Sequence, residues 1–453
     1  MAKSLLLLLL AVLALPAPAR AQSSPAPDNS AFIQTELPSL VDTYKDIHAH
    51  PELSHFEVRT SAIVAAELRK AGYSVTENVG VYADGSRAHG VVGILKNGPG
   101  PTLLVRADMD ALPIVEETGV PYASHAIGKT IDGQTTGVMH ACGHDVHSTV
   151  LIGTARAMAA AKSQWHGTLM LIGQPSEETI DGAKAMLADH LYQRFGTPDM
   201  VIGLHDTNAL PAGKVGLVPG AAQAGASSID IVIKGIGGHG AAPQAGRDPI
   251  TLAALYITQI QTIVSREEDP SDPTVVTVGD IHGGTKRNII PDQVKLELTV
   301  RTFSDKSRQI VIDGLTRMAA GITTSAGLPP DKAATVTVLD EYAPVEYNDP
   351  ALCARIRPVL IKTFGAENVP DGEPVMPSED VGYFGLEGHK IPVAYMRLGA
   401  MDPTLFAAAK AAGKELPGPH TSKFEPDPEP TISTGVRTMT AVAISLLQPP
   451  GAP

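Results

Sequence analysis

Apolar positions recur at helical spacing over residues 40–70, and short unbroken apolar runs follow at 91–95, 102–106, 168–172 and 200–204, with a helix-like stretch at 148–162 among them. Strands alternating with helices predict an α/β fold built on a largely parallel, doubly wound sheet. From about residue 226 the texture changes. A strand (228–234), a helix (249–266), two strands (274–278 and 294–301), a helix (306–319) and a strand (335–339) follow in β-α-β-β-α-β order, the split-βαβ pattern of a compact second domain. Helix, Gly/Pro-rich turn and strand resume from Pro350. The expected organisation is a doubly wound domain in two parts, 31–225 and 340–447, interrupted by a ferredoxin-like insert at 226–339.

The two ends read differently. Residues 1–21 hold Lys3, an apolar run at 5–15 and Ala19-Arg20-Ala21, the small-x-small pattern that precedes cleavage of a secretory leader. The run is shorter than the roughly 20 apolar residues that span a bilayer, so no membrane anchor is expected. Residues 22–30 read as a flexible polar linker and 448–453 as a similar tail. The expected location is outside the cytoplasm, in the periplasm.

The 453-residue chain is 43% hydrophobic and 18% charged, a composition that folds. Its formal net charge of −13, more negative once Lys3 and Arg20 leave with the leader, provides no basic stripe to neutralise phosphates, so nucleic acid is excluded as a partner. Cys142 and Cys353 are the only cysteines. An even pair in an exported chain would ordinarily suggest a disulfide. The neighbours of Cys142 suit a metal instead, and Cys353 reads as a small buried apolar residue.

The early strands run into polar residues at their carboxyl ends, where ligands bind in an open α/β sheet. Residues 102–106 lead to Asp108 and Asp110 in RADMDALP, 168–172 to Glu177 and Glu178 in QPSEE, and 200–204 to His205 in GLHD. HACGHDVH, at 140–147, lies just before a helix. A thiol, imidazoles and carboxylates converging on one sheet edge suit a zinc-like divalent ion, with carboxylate oxygen widening the choice. Cys142 and His144, alternate residues of an extended loop, point the same way. Adjacent Glu177 and Glu178 cannot both face a metal from extended backbone, so one binds while the other is free to move protons. Metal-assisted hydrolysis requires that division.

Together with HPELS at 50–54 and Glu57 beyond it, GGHGAAP at 237–243, NIIPD at 288–292, PSED at 377–380 and the late His420, these motifs resemble the amidohydrolase branch of the aminoacylase and carboxypeptidase superfamily. Hippurate hydrolases and plant auxin-conjugate hydrolases are its familiar members. The resemblance runs in order from residue 40 to about 447. It implies a two-metal site with Cys142, His144, Glu178, His205 and His420 as ligands for Mn or Zn, with Co or Ni as alternatives, and Glu177 as general base. His239 would stabilise the oxyanion. Related enzymes take that histidine from the partner subunit, which implies a homodimer joined through an insert that is lid and dimerisation domain at once. Asn288 would grip the substrate carboxylate or oxyanion, with Arg287 a weaker candidate, and Asp110 would orient a ligand imidazole through its far nitrogen.

The implied reaction is hydrolysis of the amide bond of N-acyl amino acids or similar small carboxylate-bearing amides. A dipeptidase or carboxypeptidase on the same fold, or a binding protein without turnover, are the competing readings. Asp108 stands where other branches place a histidine ligand. Two residues depart from the pattern: Asp206 follows His205 where an apolar or aromatic side chain is expected, and Val381 follows PSED in place of Phe. His48, His50 and His55 read as surface or packing residues on a helical stretch, and His140 and His147 as neighbours of the ligands.

Overall fold

The computed structural model describes residues 30–386 and 388–448. The expected leader, the linker up to residue 29 and the tail from 449 lie outside the described residues. Seven strands form the main sheet in the spatial order Ser74–Val81, Arg87–Asn97, Gly167–Gln174, Thr102–Asp108, Met200–Pro211, Val393–Met401 and Val215–Gly216. The central pairings are parallel and the outer ones antiparallel, so the sheet is mixed. The run at 91–95 therefore departs from the parallel expectation. Only residues 98–101 separate Arg87–Asn97 from Thr102–Asp108, far short of the dozen or so residues that a parallel crossover needs, and the chain must reverse.

Alternation along the strands builds two apolar layers. Leu103, Val105, Leu169 and Leu171 pack with Leu40, Val150, Ile356 and Val436 on one face. Leu104, Met170 and Ile172 pack with Ala183, Met186 and Leu191 on the other. On the first face the helices His144–Ala160 and Pro428–Leu446 approach closely through facing glycines. A Cβ at Gly153 would lie 2.4 Å from Val436 Cγ2, and one at Gly435 2.5 Å from Val150 Cγ2.

The helical spacing at 40–70 resolves into two helices, Ser30–Ala49 and Val58–Lys70. Pro51 disfavours helical backbone at His50 and supplies no donor of its own, so the HPELS segment becomes a loop. That correction moves His55 off any helix, at φ 73°, and carries Ser54 and Glu57 toward the carboxyl edge of the sheet.

The interrupting segment forms a four-stranded antiparallel sheet in the order Val275–Gly283, Gln293–Thr302, Gly225–Lys234 and Thr335–Ala343. Helices Pro249–Thr262 and Asp305–Ser325 cover one face with a separate apolar core that includes Ile231, Tyr256, Leu296 and Leu315. Two short paired strands, Gly220–Gln223 and Glu346–Asn348, carry the chain in and out.

A buried histidine ties the first helix to the edge that holds the site. His48 Nδ1 lies 2.6 Å from Asp145 Oδ2 and Nε2 lies 3.1 Å from Glu116 Oε1, with Tyr122 packed edge-on against the ring. Burial pushes the imidazole down, and the hydrogen bonds to Asp145 and Glu116 outweigh it, raising the pKa to about 10. A histidine whose folded pKa is raised stabilises fully below its unfolded value, near 6.5, and loses that contribution as pH climbs through the folded one. Replacing His48 with Gln is expected to cost about 3 kcal/mol at pH 6, the scale of breaking one partner out of a buried pair. Urea titrations of both proteins should show the gap shrinking between pH 6.5 and 10. A gap that stays constant over that window would contradict the clasp.

Candidate active site

The parallel strands deliver the predicted residues to one edge. Asp108 ends its strand and Asp110 follows, Glu177 and Glu178 lie just past Gly167–Gln174, and His205 projects from Met200–Pro211. Cys142 sits in the loop that opens helix His144–Ala160, and His420, at φ 64°, in the turn ahead of the last helix.

Cys142 Sγ lies 3.4 Å from His205 Nε2, and His420 Nε2 lies 3.4 Å from Glu178 Oε2. His144 Nε2 faces Glu177 and Glu178 at 3.9 Å each. Donor atoms of Cys142, His144 and His205, of Cys142, Glu178 and His420, and of His144, Glu177 and Glu178 each gather within 4.8 Å. The structure thus brings Cys142, His144, Glu177, Glu178, His205 and His420 around one centre.

The chemistry of this donor set fits divalent cations. His144 Nε2 and Glu178 Oε1 are buried and make no hydrogen bond, an expense native structures avoid unless a ligand satisfies the group. Burial, with Glu178, Glu177, Asp206 and Asp108 around it, holds the Cys142 thiol well above its ordinary pKa, so its thiolate form needs a cation beside it.

Two further histidines of the HACGHDVH string stand beside this centre without joining it. His147 Nδ1 meets Asp108 Oδ1 at 2.5 Å, and its Nε2 accepts the Asp206 N–H at 3.0 Å. Its only lone pair is thereby used. Asp108 is held in turn by Arg106. His140 is buried without a partner on either nitrogen, and burial pushes its pKa down to about 4, which keeps the ring neutral.

Asp110 positions the glutamate pair. Its carboxylate accepts the N–H groups of Glu177 and Glu178 at 3.0 Å each and the Ser54 hydroxyl at 2.7 Å, and it stands 3.4 Å from His144 Nδ1, leaving Nε2 to face the centre. Glu57 reinforces the same turn by accepting the Ser176 N–H at 2.8 Å and the Ser176 hydroxyl at 3.0 Å.

Beneath the pair lies a charge network that the sequence did not reveal. Arg106, whose side chain has no exposure, donates to Gln174 at 2.8 Å, Asp108 at 2.5 Å, the Tyr395 hydroxyl at 2.9 Å, Glu379 at 2.8 Å and Asp380 at 2.9 Å. Burial pushes Glu177 well above the ordinary carboxylate range, helped by Glu379, Glu178 and Asp380.

His239 and Asn288 are brought together in the insert and not to this centre. Gly238–His239 pairs with Ile289–Ile290, and the Gly240 N–H donates to the Asn288 carbonyl at 2.9 Å. Both side chains are exposed, and among the described residues no hydrogen bond or ion pair joins them to the cluster. Arg287 lies in the same exposed loop.

Arg301, which sequence reasoning missed, lies on the uncovered face of the insert's sheet. It donates to the Ser378 hydroxyl and lines a cleft of ≈ 860 Å³ with Glu178, Tyr82, Lys184 and Asp340. Lys184 is tied to the Asp340 carbonyl at 2.6 Å. Arg301 has no carboxylate within ion-pair distance among the described residues. The available signal was its phase, since Val294, Leu296, Leu298 and Val300 are the core positions of that strand and Arg301 alternates with them.

Known proteins agree with this architecture. The pattern of peptidase family M20/M25/M40 matches residues 104–444. A hippurate hydrolase from Campylobacter jejuni is 36% identical over 75% of this chain and 82% of its own length. An IAA-amino acid hydrolase from Arabidopsis thaliana is 34% identical over 81% and 77%, respectively. A Bacillus subtilis protein described as a dinuclear metal-binding peptidase superposes with a TM-score of 0.73 at 27% identity, covering 91% of this chain and 99% of that one. The chain belongs to peptidase family M20/M25/M40, in its amidohydrolase branch.

Proposed function

We propose that this protein is a binuclear metal-dependent amidohydrolase that cleaves N-acyl amino acids or similar small amides bearing a carboxylate, acting outside the cytoplasm after loss of residues 1–21. The convergence of Cys142, His144, Glu178, His205 and His420 on one centre, with Glu177 beside it, carries the reading. These five side chains would hold two ions, Mn or Zn in the first instance. When bound, the ions supply Lewis acidity that acidifies a water and polarises the scissile carbonyl.

The chain's own groups do the rest. Glu177 takes the proton of the attacking water and returns it to the leaving amine. Asp110, through the two backbone N–H groups, keeps that carboxyl within reach of both atoms. Arg301, facing the cleft, grips the substrate carboxylate, with Asn288 contributing from the insert. His239 completes the site of a partner subunit as an oxyanion donor. The exposed Ile281 on the insert's edge strand, with Ile250 and Leu255 on the adjacent helix, supports the insert as the dimerisation surface as well as the lid.

Replacing Glu177 with Gln is expected to lower kcat on N-acetyl or N-benzoyl amino acids by about 10²–10⁴, the worth of a proton shuttle, while metal content is unchanged. Chelation should abolish wild-type turnover and added metal restore it. If turnover survives in Glu177→Gln, the assignment of the base is wrong, and preference for free-amine dipeptides would favour the peptidase reading.

Arg301→Ala should raise KM for the carboxylate substrate and leave the corresponding neutral amide unaffected. Equal losses on the two substrates would remove Arg301 from carboxylate recognition.

His239→Ala alone should lose about 10²–10³ in kcat, as for an oxyanion donor. Because His239 acts across the dimer, co-refolding inactive His239→Ala with inactive Glu177→Gln should recover partial activity in mixed dimers. No recovery from a sample shown to contain mixed dimers would place His239 outside the partner's site.

A further inference from the structure

The side chain of Asp206 is fully buried, and neither carboxylate oxygen makes a hydrogen bond. It lies between two imidazoles, 3.4 Å from His147 Nε2 and 3.4 Å from His205 Nδ1. The first cannot neutralise it, because His147 Nε2 spends its lone pair on the Asp206 N–H. The second can respond: His205 Nδ1 donates to the Asp206 carbonyl at 2.6 Å, which fixes the tautomer and turns Nε2 toward Cys142. The carboxylate also has a place cut for it. Gly143 adopts φ 77°, and a Cβ there would fall 2.2 Å from Asp206 Oδ2, so the HACGHD loop needs a glycine where the acid rests.

A buried carboxylate without a cation is costly. The neighbour placed to carry positive charge toward it is His205, whose ring gains that charge when a cation is bound at Nε2. We infer that Asp206 is a positioning residue for the metal centre, a fixed counter-charge behind His205 that strengthens this imidazole as a ligand and is itself stabilised by the ion. This rests on the metal-site reading above and adds to it a residue that donates no ligand atom. The physical reason is general: a carboxylate behind a ligating imidazole raises its basicity, and loss of such a partner typically weakens metal affinity about 10–100-fold.

Competition of the dialysed protein against a chromophoric chelator, with Zn²⁺ and then Mn²⁺ alone, tests this without reference to turnover. Wild type should take up two ions per chain. Asp206→Asn, which keeps the shape and removes the charge, and Asp206→Val should each bind one ion about 10–100-fold more weakly and the other within twofold of wild type. Thermal melts give a second readout. The metal-free Asp206→Val protein should melt above metal-free wild type, and the rise on adding metal should be larger for wild type. If Asp206→Asn binds both ions as wild type does, or if only Asp206→Val weakens, the counter-charge role is overturned and the side chain is mere filling, with the metal site intact. If wild type binds no ion of either kind, this inference and the metal-site reading fall together.

Discussion

One buried guanidinium organises the carboxyl edge of the sheet. Arg106 bonds to its own strand through Asp108, to the neighbouring strand through Gln174, to a third strand through Tyr395 and to the loop of Glu379 and Asp380. Such a hub is tolerable only when every donor and acceptor is satisfied, because any missing partner leaves a charge stranded in low dielectric. Three elements that share no local sequence are therefore held in fixed register at the place where the chemistry is assembled. The network is also unbalanced, with one cation among Asp108, Glu379 and Asp380. Burial, helped by Glu379 and opposed by Arg106, pushes Asp380 up, and Glu379 and Asp380 in turn push Glu177 up. The same charges that lock the strands thus tune the carboxyl proposed as the base.

Backbone amides do the second part of the positioning. Ser176 and Ile180 flank the glutamate pair with φ of 54° and 58°, a left-handed conformation that costs a non-glycine residue about 1–3 kcal/mol and persists only where surroundings impose it. At Ser176 and the pair the imposing groups are carboxylates, and at Ile180 the Glu177 carbonyl, which accepts its N–H at 2.7 Å. Asp110 collects the N–H groups of Glu177 and Glu178, and Glu57 collects that of Ser176. Two acids that touch no substrate accordingly fix two that face the centre.

Much of this was legible in the sequence because it depends on local pattern. Unbroken apolar runs at 102–106 and 168–172 placed the strands, polar residues at their ends marked the edge, and HACGHD, QPSEE and GLHD put a thiol, imidazoles and carboxylates there. What escaped depends on contacts between distant segments. Arg106 closes an apolar run and carries no local sign of its role, because Glu379 and Asp380, over 270 positions away, must fold onto it. HPELS read as helix because its flanks are helical, and only the three-dimensional path of the loop shows Ser54 and Glu57 serving the site. Arg301 was hidden in a strand whose apolar phase draws the eye to the other face. Strand direction at 91–95 is not carried by the apolar run itself but by the short connection at 98–101, which keeps Arg87–Asn97 from running parallel to Thr102–Asp108.

On the proposed reading, the sheet edge and the interrupting segment also divide the charge between them. The sheet edge supplies Asp108, Asp110, Glu177, Glu178, Asp206, Glu379 and Asp380, and its strong cation, Arg106, is consumed below the surface. On the proposed reading, a carboxylate substrate approaching that floor meets a concentration of acids that bound divalent ions would offset near themselves. Recognition of the far carboxylate has to come from elsewhere. Lys184, a lysine lining the cleft, is already committed to Asp340, whereas Arg301 enters from the insert with no ion pair to an acid among the described residues. On the proposed reading, bond cleavage resides in the sheet edge and substrate choice in the insert. The two paired connecting strands join these two parts of the chain.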